Sequence, residues 1–333
     1  MGVDTWLEMV LWIPSYLYKL VILPFVSPHS RVYGIYLAVF VVIGVIVVAG
    51  QEKHLEKNWR KVFGVAFSSK IYLHRSAKQD YLFYFFYQAF FLLLPIYISI
   101  LTVDTVMWSV SWRLTALYPI DPAPIGVQAK MFLTLMLFVA YDFASYVGHR
   151  LQHAVPWLWE FHKVHHSAEV LTPITTYREN PVDSILISLL GTLFAGVVGG
   201  VFEYLYGEAV RPYTIMGVLA LTWFFYLLVN FRHSNIWISY GYRLNHFFSS
   251  PALHMIHHSS ESRHWDRNYG LALSVWDVIF RTEYIPRGRE HFRLGLSDRS
   301  EADYASLGAK FFLPFRRCTQ RLWLKVRKGS LVG

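Results

Sequence analysis

Cysteine and charge are both scarce in this chain of 333 residues. The one cysteine, Cys318, lies in a polar C-terminal stretch. A single thiol excludes an intramolecular disulfide framework and a thiolate metal site, and it suits a free thiol in a reducing compartment. Charged residues make up 16% of the chain, against roughly 25% in an ordinary soluble domain. A soluble fold of this size would need more charge to cover its surface. Internal repeats, low-complexity stretches and a glycine-rich phosphate loop are also missing. The first ten residues lack the basic segment of a secretory signal and the Ser/Thr of a myristoylation motif.

What the chain has instead is apolar and aromatic bulk. Apolar residues reach 54% and aromatics 18%. That composition excludes a disordered chain and predicts a polytopic membrane protein. The net charge of +9 falls mostly between and after the apolar runs. It therefore suits anionic lipid headgroups and the positive-inside rule, and no nucleic-acid partner is expected.

Residues 5–26 are broken by Pro14 and Pro24 and read as an interfacial or partly inserted helix. Spans are expected at 32–49, 81–103, 125–148, about 185–206 and 213–231. Residues 104–124 read as a loop. The 51–80 segment holds seven Lys/Arg against three Asp/Glu, and the tail after 281 is also basic, whereas 104–124 has only Arg113. Loop charge thus puts 51–80 and the tail in the cytoplasm and 104–124 outside. Five spans then leave 149–184 and everything after 232 on the cytoplasmic side. The expected organisation is an N-terminal membrane region over 1–120, a catalytic region with three spans over 121–300, and a basic cytoplasmic tail over 301–333.

Histidine is clustered. His149 and His153 form a HisxxxHis pair. His162, His165 and His166 form a HisxxHisHis triplet, and His254, His257 and His258 repeat it. Residues i, i+3 and i+4 share one helical face, so each triplet presents three imidazoles to one point. Eight converging neutral imidazoles are strong ligands for borderline metals, too many for one tetrahedral zinc and suited to two ions with open positions. His233 closes the last expected span at the depth where His149 closes the third, which makes it a candidate ligand. His246 and His264 lie near the last triplet as weaker candidates. His29, His54, His74 and His291 are solitary and read as surface residues, and Glu160 and Glu169 read as a solvated face.

Asp142, inside the third span, shares the His149 face with Tyr146. It is expected to hold a ligand imidazole in the right tautomer. The run Asp266-Arg267-Asn268-Tyr269-Gly270, followed by Trp276-Asp277, is expected to cap and orient the last triplet. Asp142, Tyr146, Asn268 and Asp277 are accordingly the candidates for support around the metal ligands.

The order HisxxxHis, HisxxHisHis, Phe-x-His-Ser-Asn, HisxxHisHis, Asn-Tyr-Gly and Trp-Asp resembles the fatty acid hydroxylase/sterol desaturase superfamily over about 135–284. The resemblance implies an all-α membrane bundle with a cytoplasmic histidine-rich helical cap holding a dimetal site. It implies His149, His153, His162, His165, His166, His233, His254, His257 and His258 as ligands of two Fe ions, with zinc able to replace them in purified protein. It further implies dioxygen as co-substrate, a lipid substrate, and electrons from a separate donor such as a small b-type cytochrome or ferredoxin with its reductase. Two positions depart from the pattern. Glu179-Asn180-Pro181 stands where many members have His-Pro, and Phe280-Arg281-Thr282 stands where they tend to have Phe-Gly-Thr. A zinc-dependent intramembrane hydrolase is a rival but lacks a HisGluxxHis base. A b-haem carrier would need His pairs in mid-span. A non-enzymatic lipid- or sterol-binding protein would not need the full ligand set.

Overall fold

A computed structural model describes residues 14–55, 58–93, 102–207 and 210–329. The described part of the chain is mainly helical. We label the principal helices α1 (Pro14–Val26), α2 (Gly34–Gln51), α3 (Trp59–Ala66), α4 (Arg75–Leu93), α5 (Val103–Leu117), α6 (Val127–Ala154), α7 (Pro156–His166), α8 (Pro181–Tyr206), α9 (Ala220–Tyr226), α10 (Pro251–His257), α11 (Val275–Phe280) and α12 (Leu307–Gly329). Strands β1 (Thr214–Ile215) and β2 (Val218–Leu219) form a short antiparallel hairpin.

Among the described residues, α2, α6 and α8 are long and apolar enough to cross a membrane. Val42 and Ile46 on α2, Met131 and Phe132 on α6, and Leu193 and Val197 on α8 stay exposed. Such apolar surface belongs against lipid rather than water. Helix ends follow local chemistry. The Asn180 side chain accepts from the Val182 amide at 3.1 Å to cap α8, whose first residue is Pro181. Val155 ends α6 and starts α7, with Pro156 opening the new helix. This sharp turn brings the pair on α6 beside the triplet on α7.

Two expected elements differ. Residues 104–124 do not form a loop throughout: α5 fills 103–117 and packs along the far half of α8. Thr102 caps α5 by accepting from the Thr105 amide at 3.1 Å. Gly196, Gly199 and Gly200 of α8 let Val106, Met107 and Val110 approach closely, a small-residue contact common between membrane helices. The expected second span, 81–103, lies partly outside the described residues; α4 covers its first part.

The expected fifth span, 213–231, is not one helix. It comprises the β1–β2 hairpin, the seven-residue α9 and a short 3₁₀ turn at Val229–Phe231. Met216 and Gly217 have φ of 52° and 82°, the pair of left-handed residues that a two-residue hairpin turn favours. The segment still covers the depth of a span. Tyr213 donates its amide to Thr134 Oγ1 of α6 at 2.9 Å, while His233 reaches the histidines. Thr134 lies fifteen residues before His149, about 22 Å along the helix. Broken backbone at such depth is tolerated where protein buries it. Here Tyr36 packs on Trp223 and Tyr226, and Phe40 packs on Phe231.

The basic C-terminal segment is also ordered. Helix α12 packs on α7, where Arg317 and Arg321 both pair with Glu160. Glu160 is buried, contrary to the solvated face expected for it, because these two guanidinium groups compensate its charge. Glu169 is exposed as expected.

Candidate metal centre

The nine histidines expected as ligands converge into two neighbouring groups. His149, His153, His162, His166 and His257 form one, and His165, His233, His254 and His258 form the other. In each group one nitrogen per ring lies within 4.8 Å of those of the others. The groups touch: the His166 and His258 rings are 4.6 Å apart between centroids, and so are those of His165 and His258. His246 and His264 belong to neither group. His246 bonds the Tyr242 carbonyl, and buried His264 faces Glu290 at 3.3 Å. His54 and His291 are exposed, and so is His29, which nonetheless reaches the cavity described below. His74 is half-buried and accepts from the Ser76 amide at the start of α4.

The donor set fits cations. His153 Nε2, His162 Nδ1 and Nε2, His166 Nε2, His257 Nε2 and His258 Nδ1 are buried with no hydrogen-bond partner. Each such nitrogen costs about 1–3 kcal/mol if left unsatisfied. In the second group, Nε2 atoms face each other across 3.2 Å (His165–His233), 2.9 Å (His233–His254) and 3.1 Å (His254–His258). So many facing lone pairs cannot all be joined by ring protons. Burial, and then the neighbouring rings, hold His162, His166, His257 and His258 well below the usual imidazole value of 6.5. His165, His233 and His254 are held well below it for the same first reason, with Arg232 adding to the effect at His254. Neutral imidazoles offer lone pairs, which is the state a metal takes.

Backbone carbonyls aim several rings. His149 Nδ1 faces the Tyr269 carbonyl at 2.9 Å, His257 Nδ1 the Arg267 carbonyl at 2.7 Å, and His165 Nδ1 the Arg178 carbonyl at 3.3 Å. A proton on Nδ1 directed at a carbonyl leaves Nε2 free to point inward. Two of these carbonyls come from the 266–270 run, which does orient the last triplet. Asp277 accepts from the amides of Tyr269 at 2.9 Å and Gly270 at 2.8 Å, and from Thr282 Oγ1 at 2.7 Å. Asn268 accepts from the Tyr284 amide at 2.8 Å and donates to the Tyr284 and Leu253 carbonyls. Gly270 has no room for a side chain: a Cβ there would lie 2.5 Å from the Leu273 carbonyl oxygen.

Asp142 acts differently from the expectation. It touches no imidazole. Its carboxylate accepts from the amides of Ala272 at 2.7 Å and Leu273 at 3.2 Å, and from Trp276 Nε1 at 2.8 Å. It anchors the loop whose carbonyl aims His149, one step removed from the ring. Tyr146 likewise bonds Thr282 Oγ1 at 3.0 Å and stacks on Phe280. Arg281 takes a left-handed φ of 59°. This is where the resemblance expects glycine, so the departure changes the residue but keeps the turn.

Sequence reasoning missed Arg232. Fully buried, it sets its guanidinium 2.9 Å from His254 Nδ1 and donates to Ser249 Oγ at 3.0 Å and to the carbonyls of Gly270 and Leu271. Its position directly before His233 was the available signal. Arg178, buried against Asp80 at 2.8 Å, was also missed; its carbonyl aims His165.

A cavity of about 290 Å³ reaches the centre, lined by His149, His162, His165, His233 and His254 and by residues of α2's approach, α4, α6 and α8. A second, of about 250 Å³, opens on the other side at His153, His166 and His257.

Fold and site together point to a helical membrane protein with a polyhistidine centre that could hold metal ions. Residues 134–282 match the fatty acid hydroxylase family. The match covers a little under half of the chain and supports the resemblance to the fatty acid hydroxylase/sterol desaturase superfamily. It is 31% identical over 197 residues to the ornithine lipid hydroxylase of Rhizobium tropici, covering 59% of this chain and 53% of that protein. It is 26% identical to the alkylglycerol monooxygenase of Caenorhabditis elegans, covering 42% of this chain and 25% of that protein. It is 27% identical to the human alkylglycerol monooxygenase, covering 44% of this chain and 29% of that protein. The chain thus spans about half or less of the length of these relatives. No solved structure matches it.

Proposed function

We propose that this protein is a membrane-bound oxidase that hydroxylates a lipid with dioxygen. The observation that carries the reading is the pair of adjacent groups of five and four imidazoles, seven of the nine buried, beside a cavity. The names of the relatives, lipid hydroxylase and monooxygenase, favour hydroxylation over desaturation. In the reaction one oxygen atom enters a C–H bond to give C–OH. The other leaves as water with two electrons and two protons from an external donor. That donor would be a small b-type cytochrome or a ferredoxin with its reductase.

His149, His153, His162, His166 and His257 would hold one ion, and His165, His233, His254 and His258 the other. Iron would supply the redox chemistry that activates dioxygen there, although an all-nitrogen shell also admits zinc. The chain does the positioning. Tyr269, Arg267 and Arg178 carbonyls fix ring tautomers, and Asp277, Asn268 and Asp142 fix the loop that carries two of those carbonyls. The apolar walls around Ile187, Val229 and Leu271 limit water beside the reacting carbon. By loop charge, the histidines and C-terminus face the cytoplasm, with 121–300 as the catalytic region.

The reading is tested by incubating the iron-loaded chain with a membrane lipid extract, a reductant and ¹⁸O₂. One ¹⁸O per product molecule is expected, dependent on His165 and His257. Oxygen derived from water, or turnover in zinc-loaded protein without reductant, would point to the hydrolase alternative.

A further inference from the structure

The cavity that meets the histidines also has two charged side chains in its lining, Arg31 and Glu179. Both are half-buried. Arg31 is fixed from behind by Asn230, which donates to its backbone carbonyl at 3.1 Å, and its guanidinium donates from Nη1 to Thr176 Oγ1. Its other guanidinium nitrogens make no hydrogen bond among the described residues. Glu179 Oε2 accepts from Ser184 Oγ at 2.8 Å, itself bonded to the Tyr87 hydroxyl at 2.6 Å; Oε1 has no partner among the described residues. The two opposite charges face one chamber yet form no ion pair with each other. The cavity's other guanidinium, Arg232, differs: it is spent on Ser249, His254 and two backbone carbonyls.

The two charges influence each other across the cavity but do not touch, and charged groups in a cavity with unused hydrogen-bonding capacity mark sites that bind. A hydrocarbon or sterol in this chamber would leave both charges unpaired. An anionic group would satisfy Arg31 and repel Glu179. A group carrying both an ammonium and an anionic oxygen satisfies both. Resting on the lipid hydroxylase reading above, we propose that the substrate is a lipid with a zwitterionic headgroup, its anionic oxygens on Arg31 and its ammonium on Glu179. The headgroup then occupies the chamber that ends at His149, His165 and His233. The carbon presented for oxidation therefore belongs to the headgroup or its first linkage rather than to the middle of an acyl chain.

The test uses the full metal-loaded chain in nanodiscs and a panel of lipids with identical acyl chains. The headgroups are phosphatidylethanolamine, an aminoacyl lipid with free amine and free carboxylate, anionic phosphatidylglycerol, and neutral diacylglycerol. Binding is read by native mass spectrometry, and product oxygen is located by tandem mass spectrometry. Zwitterionic lipids should bind at least about tenfold more tightly than the other two classes. Arg31→Gln and Glu179→Gln should each remove that preference while metal content stays at the wild-type level, and Glu179→Asp should restore part of it. Glycerophosphoethanolamine should compete only weakly, because it lacks the chains. Equal binding of all headgroups by the wild-type chain would overturn the proposal without need of any variant. So would variants that weaken every class alike, free headgroup competing as well as lipid, or oxygen found in mid-chain. If the metal-loaded protein oxidises none of the panel, the hydroxylase reading fails, while the binding comparison still decides this proposal.

Discussion

Replacing Asp277 with asparagine separates the loop that aims the ligands from the ligands themselves. The carboxylate serves three donors: Oδ1 takes the Tyr269 amide at 2.9 Å and Thr282 Oγ1 at 2.7 Å, and Oδ2 takes the Gly270 amide at 2.8 Å. Asparagine keeps one acceptor oxygen and turns an NH₂ towards one of the two amides. One charge-assisted bond is lost and one buried N–H is left unpaired, which together cost about 2–4 kcal/mol of stability. The same loop carries the Tyr269 and Arg267 carbonyls that face His149 and His257. Loss of such support lowers metal affinity by roughly 10–100-fold. The assay pairs thermal unfolding of the detergent-solubilised protein with titration of its metal against a competing chelator. Asp277→Asn should move both. Asp298→Asn, at an exposed pair with Lys163, should move stability by less than about 1 kcal/mol and metal affinity not at all. If Asp277→Asn loses stability while metal affinity stays within twofold of wild type, the loop does not position the ligands.

Three further outcomes follow from the geometry. His165→Ala and His257→Ala should abolish hydroxylation and lower bound metal while the protein still inserts, whereas His54→Ala and His291→Ala should match wild type in a turnover assay. Stability and metal retention should be full above pH 6.5 and fall below it. There the unfolded chain takes up protons that His162, His165, His166, His233, His254, His257 and His258 refuse when folded. Asp277, pushed up to about 6 by burial against an ordinary value of 3.8, works the other way, as do Asp80 and Glu179, which burial also raises; these carboxyls are outnumbered by the seven rings. Unchanged melting and metal content between about pH 7 and 5 would contradict the neutral-ring picture. Gly200→Ala places a Cβ 2.6 Å from the Met107 carbonyl oxygen and should cost about 1–3 kcal/mol, while Gly50→Ala, with nothing within 4 Å, should cost nothing measurable in the same melt.

The convergence of the nine histidines was legible because its signal is local. Three clusters at i, i+3 and i+4 fix which rings share a face, and a membrane leaves few ways to bring helix ends together. The span pattern was legible where apolar runs are long and uninterrupted, as in α2, α6 and α8. It misled at 213–231, since an all-apolar stretch has no period to separate a helix from a hairpin and broken turn. It misled again at 104–124, where the cue for a helix was not hydropathy but the glycines of α8 that receive it. Asp142 was correctly singled out as an intramembrane carboxylate. Its partners, the amides of Ala272 and Leu273, lie 130 residues away or more, and such long-range backbone bonds leave no trace in local spacing. Arg232, Arg178, Arg31 and Glu179 were hidden for the same reason, since a charged residue beside a span reads as a headgroup contact until the fold closes over it.

Elemental analysis of the purified chain, with variants that empty one group at a time, bears directly on the two-ion centre. Active wild-type protein should hold about two ions per chain. His258→Ala, which opens the group of four, should retain about one, and so should His153→Ala in the group of five. One ion or none in fully active wild-type protein, or two ions in either variant, would contradict a centre in which each group of imidazoles holds its own metal.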